Sequence, residues 1–149
     1  MSLRFRDATR ADVPSVMALL MDDDVARGRE TAAMEDYLAG FDVITEEDHS
    51  RIVVGEDEEG RIVATFQLTF LRGLSHRAAR RALIEAVRIA APLRSRGLGA
   101  ALMAEAEARA RAAGCVSMQL TTHNSRARAH AFYERLGYES HHLGYKKTL

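Results

Sequence analysis

The chain has 149 residues, 47% of them apolar, one cysteine, and 21 basic side chains against 21 acidic ones. That length predicts a single domain over residues 1–149, and the even charge balance argues against a nucleic-acid partner, whose phosphate contacts need a basic excess. No apolar run reaches the roughly 18 residues of a membrane span, no signal-peptide core opens the chain, and the lone Cys115 excludes an internal disulfide framework, so a cytoplasmic protein without a membrane partner is expected.

Leu3-Arg4-Phe5-Arg6 alternates like a short first strand. Thr9 or Asp12 caps a helix whose buried stripe is Val13, Val16, Met17 and Leu20. Asp22-Asp23-Asp24 ends that stripe and reads as a solvated acidic turn. The alternative is a lure for a cationic amine. Residues 31–39 predict a shorter helix stopped by Gly40.

Arg51 to Glu56 is a β-branched strand, Asp57-Glu58-Glu59-Gly60 a hairpin turn, and Ile62 to Phe70 an alternating strand with one strongly apolar face. Residues 71–81 read as a solvated basic loop, because no aromatic side chains interleave the arginines as in a nucleic-acid patch. Leu83 to Ala90 is the next strand. Gly97 to Ala113 is a long helix with Leu98, Leu102, Ala106 and Ala110 inward, and Gly114 ends it. Residues 116–121 alternate as a strand, with Cys115 as core before it. Arg126 to Leu136 form a helix stopped by Gly137, and His141 to Leu149 a final strand. This β-α-α-β-β-β-α-β-α-β order predicts a mixed α/β sheet. The scattered histidines, with His141 and His142 on opposite strand faces, give no metal-ligand spacing, so no metal is expected.

The informative stretch is Arg94-Ser95-Arg96-Gly97-Leu98-Gly99, between a strand and a helix. A glycine loop feeding a helix N-terminus gathers free amides at the positive end of the helix dipole and so binds phosphate. A triphosphate loop needs Lys and then Ser or Thr after its last glycine, but Ala100 and Ala101 follow Gly99. A dinucleotide fingerprint needs a third glycine where Leu102 stands and an acid near Gln119.

Arg94-x-x-Gly97-x-Gly99 resembles the acetyl-CoA signature of the GNAT superfamily of N-acetyltransferases. Ile84 to Ile89 resembles the strand before that signature, and Ala129 to Tyr138, with Tyr133 and Gly137, resembles the family's late helix. The resemblance runs from about residue 3 to 149. It implies a mixed, mostly antiparallel central sheet of six to seven strands flanked by about four helices. It implies acetyl-CoA as cosubstrate, its pyrophosphate on Ser95, Arg96, Gly97, Leu98, Gly99 and Ala100, and its pantetheine arm along Val87, Arg88 and Ile89. Arg94 occupies the family's Gln/Arg position, which implies that its side chain, with that of Arg96, adds charge at the pyrophosphate; a solvated arginine is the alternative for each. Arg126 stands where many relatives have Asn, and a contact with the CoA phosphates is its functional reading.

Acetyl transfer to an amine needs a base for the amine proton and an acid for the departing thiolate. The resemblance makes Tyr133 the acid, and a phenol is protonated at neutral pH. Glu85 is the base candidate on its own evidence. Strand alternation puts it on one face with Leu83, Val87 and Ile89, where a carboxylate is costly without a task. A structural ion pair is the competing role for Glu85, and His123 is the rival base. Cys115 lacks a polarising histidine for nucleophilic work. The expected function is an acetyl-CoA-dependent N-acetyltransferase acting on a primary amine, of a small molecule or a protein, by direct attack in a ternary complex. The alternative is a non-catalytic acyl-CoA sensor. Homodimers are common in the family, but no interface is marked in the sequence.

Overall fold

The turn between the two central strands is closed by its own side chain. In the computed structural model, which describes all 149 residues, Asp57 Oδ1 accepts from the amides of Glu59 and Arg61 at 3.0 and 2.9 Å. Its Oδ2 accepts from Arg61 Nε at 2.8 Å. Gly60 supplies the turn's positive φ of 78°, which costs a residue without Cβ little. These bonds, the Arg61 amide's above all, hold the Asp57 carboxyl below the ordinary carboxylate range.

Residues 1–119 form one compact unit and residues 120–149 another. The first holds a five-stranded mixed sheet in the order β1 (Arg4–Asp7), β2 (Ser50–Glu56), β3 (Ile62–Arg72), β4 (Arg80–Ile89), β5 (Met118–Gln119). The first four strands run antiparallel, and β5 is parallel to β4. The class is the expected α/β sheet with fewer strands. The strand expected over 116–121 is only two residues long, and His141 to Leu149 form none. The adjacent histidines and Gly144 give that tail no sustained alternation, and a strand needs a neighbour to satisfy its backbone.

Five helices complete the chain: α1 (Val13–Met21), α2 (Asp24–Arg29), α3 (Met34–Glu47), α4 (Leu98–Ala112) and α5 (Ala127–Arg135). The acidic run does more than end α1. Asp23 caps α2, its Oδ1 accepting from the Val25 amide at 2.9 Å. α3 continues through Gly40, where a stop was expected. Tyr37, Phe41 and Ile44 keep a half-buried stripe at i, i+4, i+7 across it. That stripe outweighs the roughly 1 kcal/mol a mid-helix glycine costs. α4 buries Leu98, Leu102, Met103, Ala106 and Ala110 as its spacing requires, and Glu105–Arg109 and Glu107–Arg111 pair along its outer side.

α1 and α4 each pack on β3 and β4. Both sides of mid-β3 are covered: Ala64, Phe66 and Leu68 alternate with Val63 and Thr65, all buried. Cross-strand register sets the two faces. Arg6, Val54, Thr65 and Arg88 form one row, and Phe5, Gly55, Ala64 and Ile89 form the other. In the first row Arg6 donates to Glu56 at 2.6 Å and to Asp12 at 2.7 and 3.1 Å, tying β1 to β2 and to the start of α1. Asp12 also accepts from the Thr9 amide at 2.7 Å. The Arg6 guanidinium draws the Asp12 carboxyl down to about 2.

Glycine plays opposite parts at positions 40 and 55. A Cβ on Gly40 meets nothing within 4 Å, whereas one on Gly55 lies 3.0 Å from Phe5 Cε1 and 3.1 Å from Ala64 Cβ. Gly40→Ala is therefore expected to raise the melting temperature by about 3 °C, from about 1 kcal/mol of helix propensity. Gly55→Ala lowers it, because the Phe5 ring and the Ala64 Cβ must give way. Thermal melts of the two variants test this; a stable Gly55→Ala protein contradicts the packing.

Candidate active site

β4 has one edge engaged and one largely open. β3 pairs along its length, but β5 reaches only Ala82 and Leu83. From Ile84 to Ile89 no sheet strand lies against the second edge. Backbone amides and carbonyls at such an edge invite an extended guest.

Within that span the chain bulges. Ala86 takes φ +53°, and the register jumps from Gln67–Glu85 to Thr65–Arg88. Arg81, Leu83 and Glu85 share a face, paired with Leu71, Thr69 and Gln67, and Arg88 continues it opposite Thr65. Ile89 lies opposite Ala64 on the other face. The expected row of Leu83, Glu85, Val87 and Ile89 is therefore not formed, because one extra residue inverts the alternation. Glu85 is exposed, so the apolar burial expected for it is absent too. Val87 and Ile89 are half-buried. Arg88 Nη1 donates to the Val87 carbonyl at 2.9 Å, and Arg94 Nε to that of Ile89 at 3.0 Å.

After β4, a single 3-10 turn (Ala91–Leu93) leads into the glycine loop. Ser95 and Gly97 both take positive φ, +63° and +78°. No side chain caps α4, and none of the amides from Ser95 to Ala100 donates a hydrogen bond within the chain. Six amides at the start of a 15-residue helix anchored by buried leucines fit a phosphate group. Arg96 beside them is exposed and makes no ion pair.

The arginines around the loop are held by the acidic turn. Arg94 Nη2 lies 3.1 Å from Asp22 Oδ2, and Arg88 Nη2 lies 3.4 Å from Asp23 Oδ2. Asp24 pairs with Arg27. The turn is thus not simply solvated; its carboxylates join the α1–α2 corner to β4 and the loop. Beside the loop an open groove of about 520 Å³ is lined by Leu19, Met21, Asp22, Ile62, Ala91 and Pro92 among others, and it includes neither Glu85 nor the free amides.

The unit of residues 120–149 carries the remaining candidates. Tyr133 on α5 is half-buried, edge-on to Phe132 at 5.1 Å and to Tyr138 at 5.9 Å. Gly137, at φ +90°, turns the chain so that the Tyr138 amide donates to the Tyr133 carbonyl at 3.0 Å. Arg126 is the N-cap of α5, and its carbonyl accepts from the His130 amide at 3.1 Å. His123 is exposed, its Nδ1 2.7 Å from Ser125 Oγ and 3.2 Å from the Ser125 amide that donates to it. In the first unit Cys115 is half-buried, and burial pushes its thiol up, away from a nucleophilic thiolate.

Two features escape sequence reasoning. The Ala86 bulge has no signal, since no glycine marks it. The Asp22–Arg94 and Asp23–Arg88 pairs join residues 72 and 65 positions apart, which periodicity does not report.

The sequence model of the acetyltransferase (GNAT) family matches residues 13–138. The chain is 31% identical over 144 residues to an aminoalkylphosphonate N-acetyltransferase of Salmonella typhimurium, covering 97% of this chain and 90% of that protein. It is also similar to the crystal structure of a transcriptional regulator from Bacillus halodurans C-125, with TM-score 0.91, 33% identity, and 99% and 100% of the two chains covered. A GNAT family acetyltransferase from Staphylococcus aureus shares the fold at TM-score 0.79 and 22% identity, with both chains covered in full.

The loop makes a separable prediction. A Cβ on Gly97 meets nothing within 4 Å, so Gly97→Ala pays only the conformational cost of φ +78°, about 1–2 kcal/mol. The expected result is a melting temperature lower by a few degrees, together with weaker binding of inorganic pyrophosphate by calorimetry. Unchanged melting and binding contradict a left-handed Gly97 at the head of the cradle.

Proposed function

The chain belongs to the acetyltransferase (GNAT) family, and from that premise we propose that it moves an acetyl group from acetyl-CoA to the primary amine of a small molecule. Membership makes it an acyltransferase, and the family uses acetyl-CoA as cosubstrate. The amine, the mechanism and the residue roles below are our reading. The relative from Salmonella typhimurium, named for an aminoalkylphosphonate, supports a small amine as acceptor.

The observation that carries the reading is the set of unpaired amides from Ser95 to Ala100 at the uncapped start of α4, next to the open edge of β4. In this reading those amides hold the pyrophosphate, with Arg96 adding charge. Arg94 is the post that fixes the loop to Ile89 and Asp22. The backbone of Val87 to Ile89 takes the pantetheine arm as an added strand. Acetyl-CoA supplies the thioester. The amine attacks it directly in a ternary complex. Glu85, exposed on β4, takes the amine proton directly or through one water. Tyr133 returns a proton to the departing thiolate from its phenol. All 149 residues act as one catalytic domain in this account, in the cytoplasm.

Tyr133→Phe keeps the ring and removes the proton. It is expected to lower kcat by about 100-fold or more with little change in acetyl-CoA affinity. Glu85→Gln leaves the amine to lose its proton to water, so the rate follows the free-amine fraction and the loss is greatest at low pH. Steady-state kinetics over an amine panel, with calorimetry of acetyl-CoA, check both. Undiminished turnover removes Tyr133 from this role, and an unaltered pH profile removes Glu85. Acetyl-CoA binding with no turnover of any amine favours a sensor over an enzyme.

A further inference from the structure

The hairpin that opens β4 gathers cations and no ion-pairing anion. Arg72, Arg77, Arg80 and Arg81 lie within ten residues, and none forms a salt bridge. Arg72 is spent on the Ala78 carbonyl at 2.6 Å. Arg80 is spent on the Ala113 carbonyl at 2.8 Å and on the Phe70 ring, 4.4 Å from its centroid. Both are close enough to act on the Cys115 thiol as positive charges, opposing its burial. Their field at this end of the sheet is therefore not neutralised.

Arg81 differs from its neighbours. Its Nη1 donates to the neutral Gln119 side chain at 3.0 Å. Its Nε is buried and has no hydrogen-bond partner. A buried guanidinium donor without an acceptor is a cost that folded chains seldom carry without reason. The position supplies one. Arg81 pairs with Leu71 and Glu85 with Gln67, so both side chains stand on the same face of β4, with Leu83 between them. Four strand residues separate their Cα atoms by about 13 Å. Arg81 turns sideways to Gln119 instead of reaching along the strand, so most of that separation stays open, enough for a short aliphatic amine with an anionic group at its other end and a hydrogen bond at each.

We infer that Arg81, steadied by Gln119, is the specificity residue of the acceptor site, and that the acceptor is a small amine bearing a tetrahedral or carboxylate anion. The inference rests on the acetyltransferase reading and on Glu85 receiving the amine. The anion satisfies the orphaned Nε and the remaining guanidinium N–H groups in the fork geometry that arginine offers. The same charge selects against neutral and purely cationic amines.

The test is a pair of acceptors differing only in the anion, O-phosphoethanolamine and ethanolamine, assayed for acetyl transfer with the full chain, with direct binding of each followed by calorimetry. The wild-type protein is expected to favour O-phosphoethanolamine at least tenfold in kcat/KM. Arg81→Met keeps the stem length and removes the charge. It is expected to raise KM for O-phosphoethanolamine tenfold or more and to collapse the preference towards one. Arg81→Lys retains part of the preference, which separates lost charge from lost folding. A wild type that acetylates both amines equally, or an Arg81→Met variant that keeps the preference, overturns the inference and leaves the acetyltransferase reading standing. O-phosphoethanolamine binding that Arg81→Met abolishes, without acetylation of any amine, supports the anion site and counts against the reading of the reaction instead. Absence of both binding and turnover of O-phosphoethanolamine overturns the anion site.

Discussion

The site depends on β4 being paired along one edge and, from Ile84 on, open along the other. Along β3 the strand is held by a ladder broken only at the Ala86 bulge, but on the other edge β5 takes only Ala82 and Leu83. That asymmetry leaves backbone groups of Ile84 to Ile89 at an edge inside a well-packed unit, where the proposed pantetheine arm would add as a strand. The rest is arranged around this strand. The Ala86 bulge decides which side chains face the guest's side, and the glycine loop begins where the strand ends. The acidic α1–α2 corner grips arginines on both.

The packing beneath explains why such an edge is tolerated. β3 is buried on both faces, with Phe66 and Leu68 on one and Thr65 on the other. Thr65 avoids an orphan hydroxyl by donating to the Val53 carbonyl at 2.9 Å. α4 is seated by Leu102, Met103 and Ala106, so its N-terminus is a fixed point and its free amides are preorganised for an anion. Arg6, Glu56 and Asp12 fix the opposite side of the sheet to α1. Rigid strands and helix thus present the loop, and Arg94 pins its start to Ile89 and Asp22.

Much of this was legible in the chain. The hairpin at Asp57 to Gly60, the α4 stripe and the glycine loop are local patterns, and each appears where its spacing puts it. So does the family, because its two motifs and the order of elements are linear features. What was illegible is what depends on pairing. Alternation placed Glu85 among Val87 and Ile89, and the bulge at a residue with no turn signature reversed it. Gly40 read as a helix stop because local propensity does not weigh a tertiary stripe through Tyr37, Phe41 and Ile44. The tail from His141 read as a strand although its alternation is broken by Gly144. Arg81 read as part of a solvated loop. Its buried Nε became visible only with the strand extended back to Arg80 and Gln119 beside it.

The central claim is that one cosubstrate lies along the open edge of β4 and ends on the amides that start α4. Backbone amide NMR of the full chain during titration with acetyl-CoA tests it most directly. The account predicts that the largest shifts fall on Ser95 to Ala100 and on Val87 to Ile89, with slower hydrogen exchange at the same positions. Saturable binding that leaves those amides unmoved, with the shifts gathered elsewhere, contradicts it.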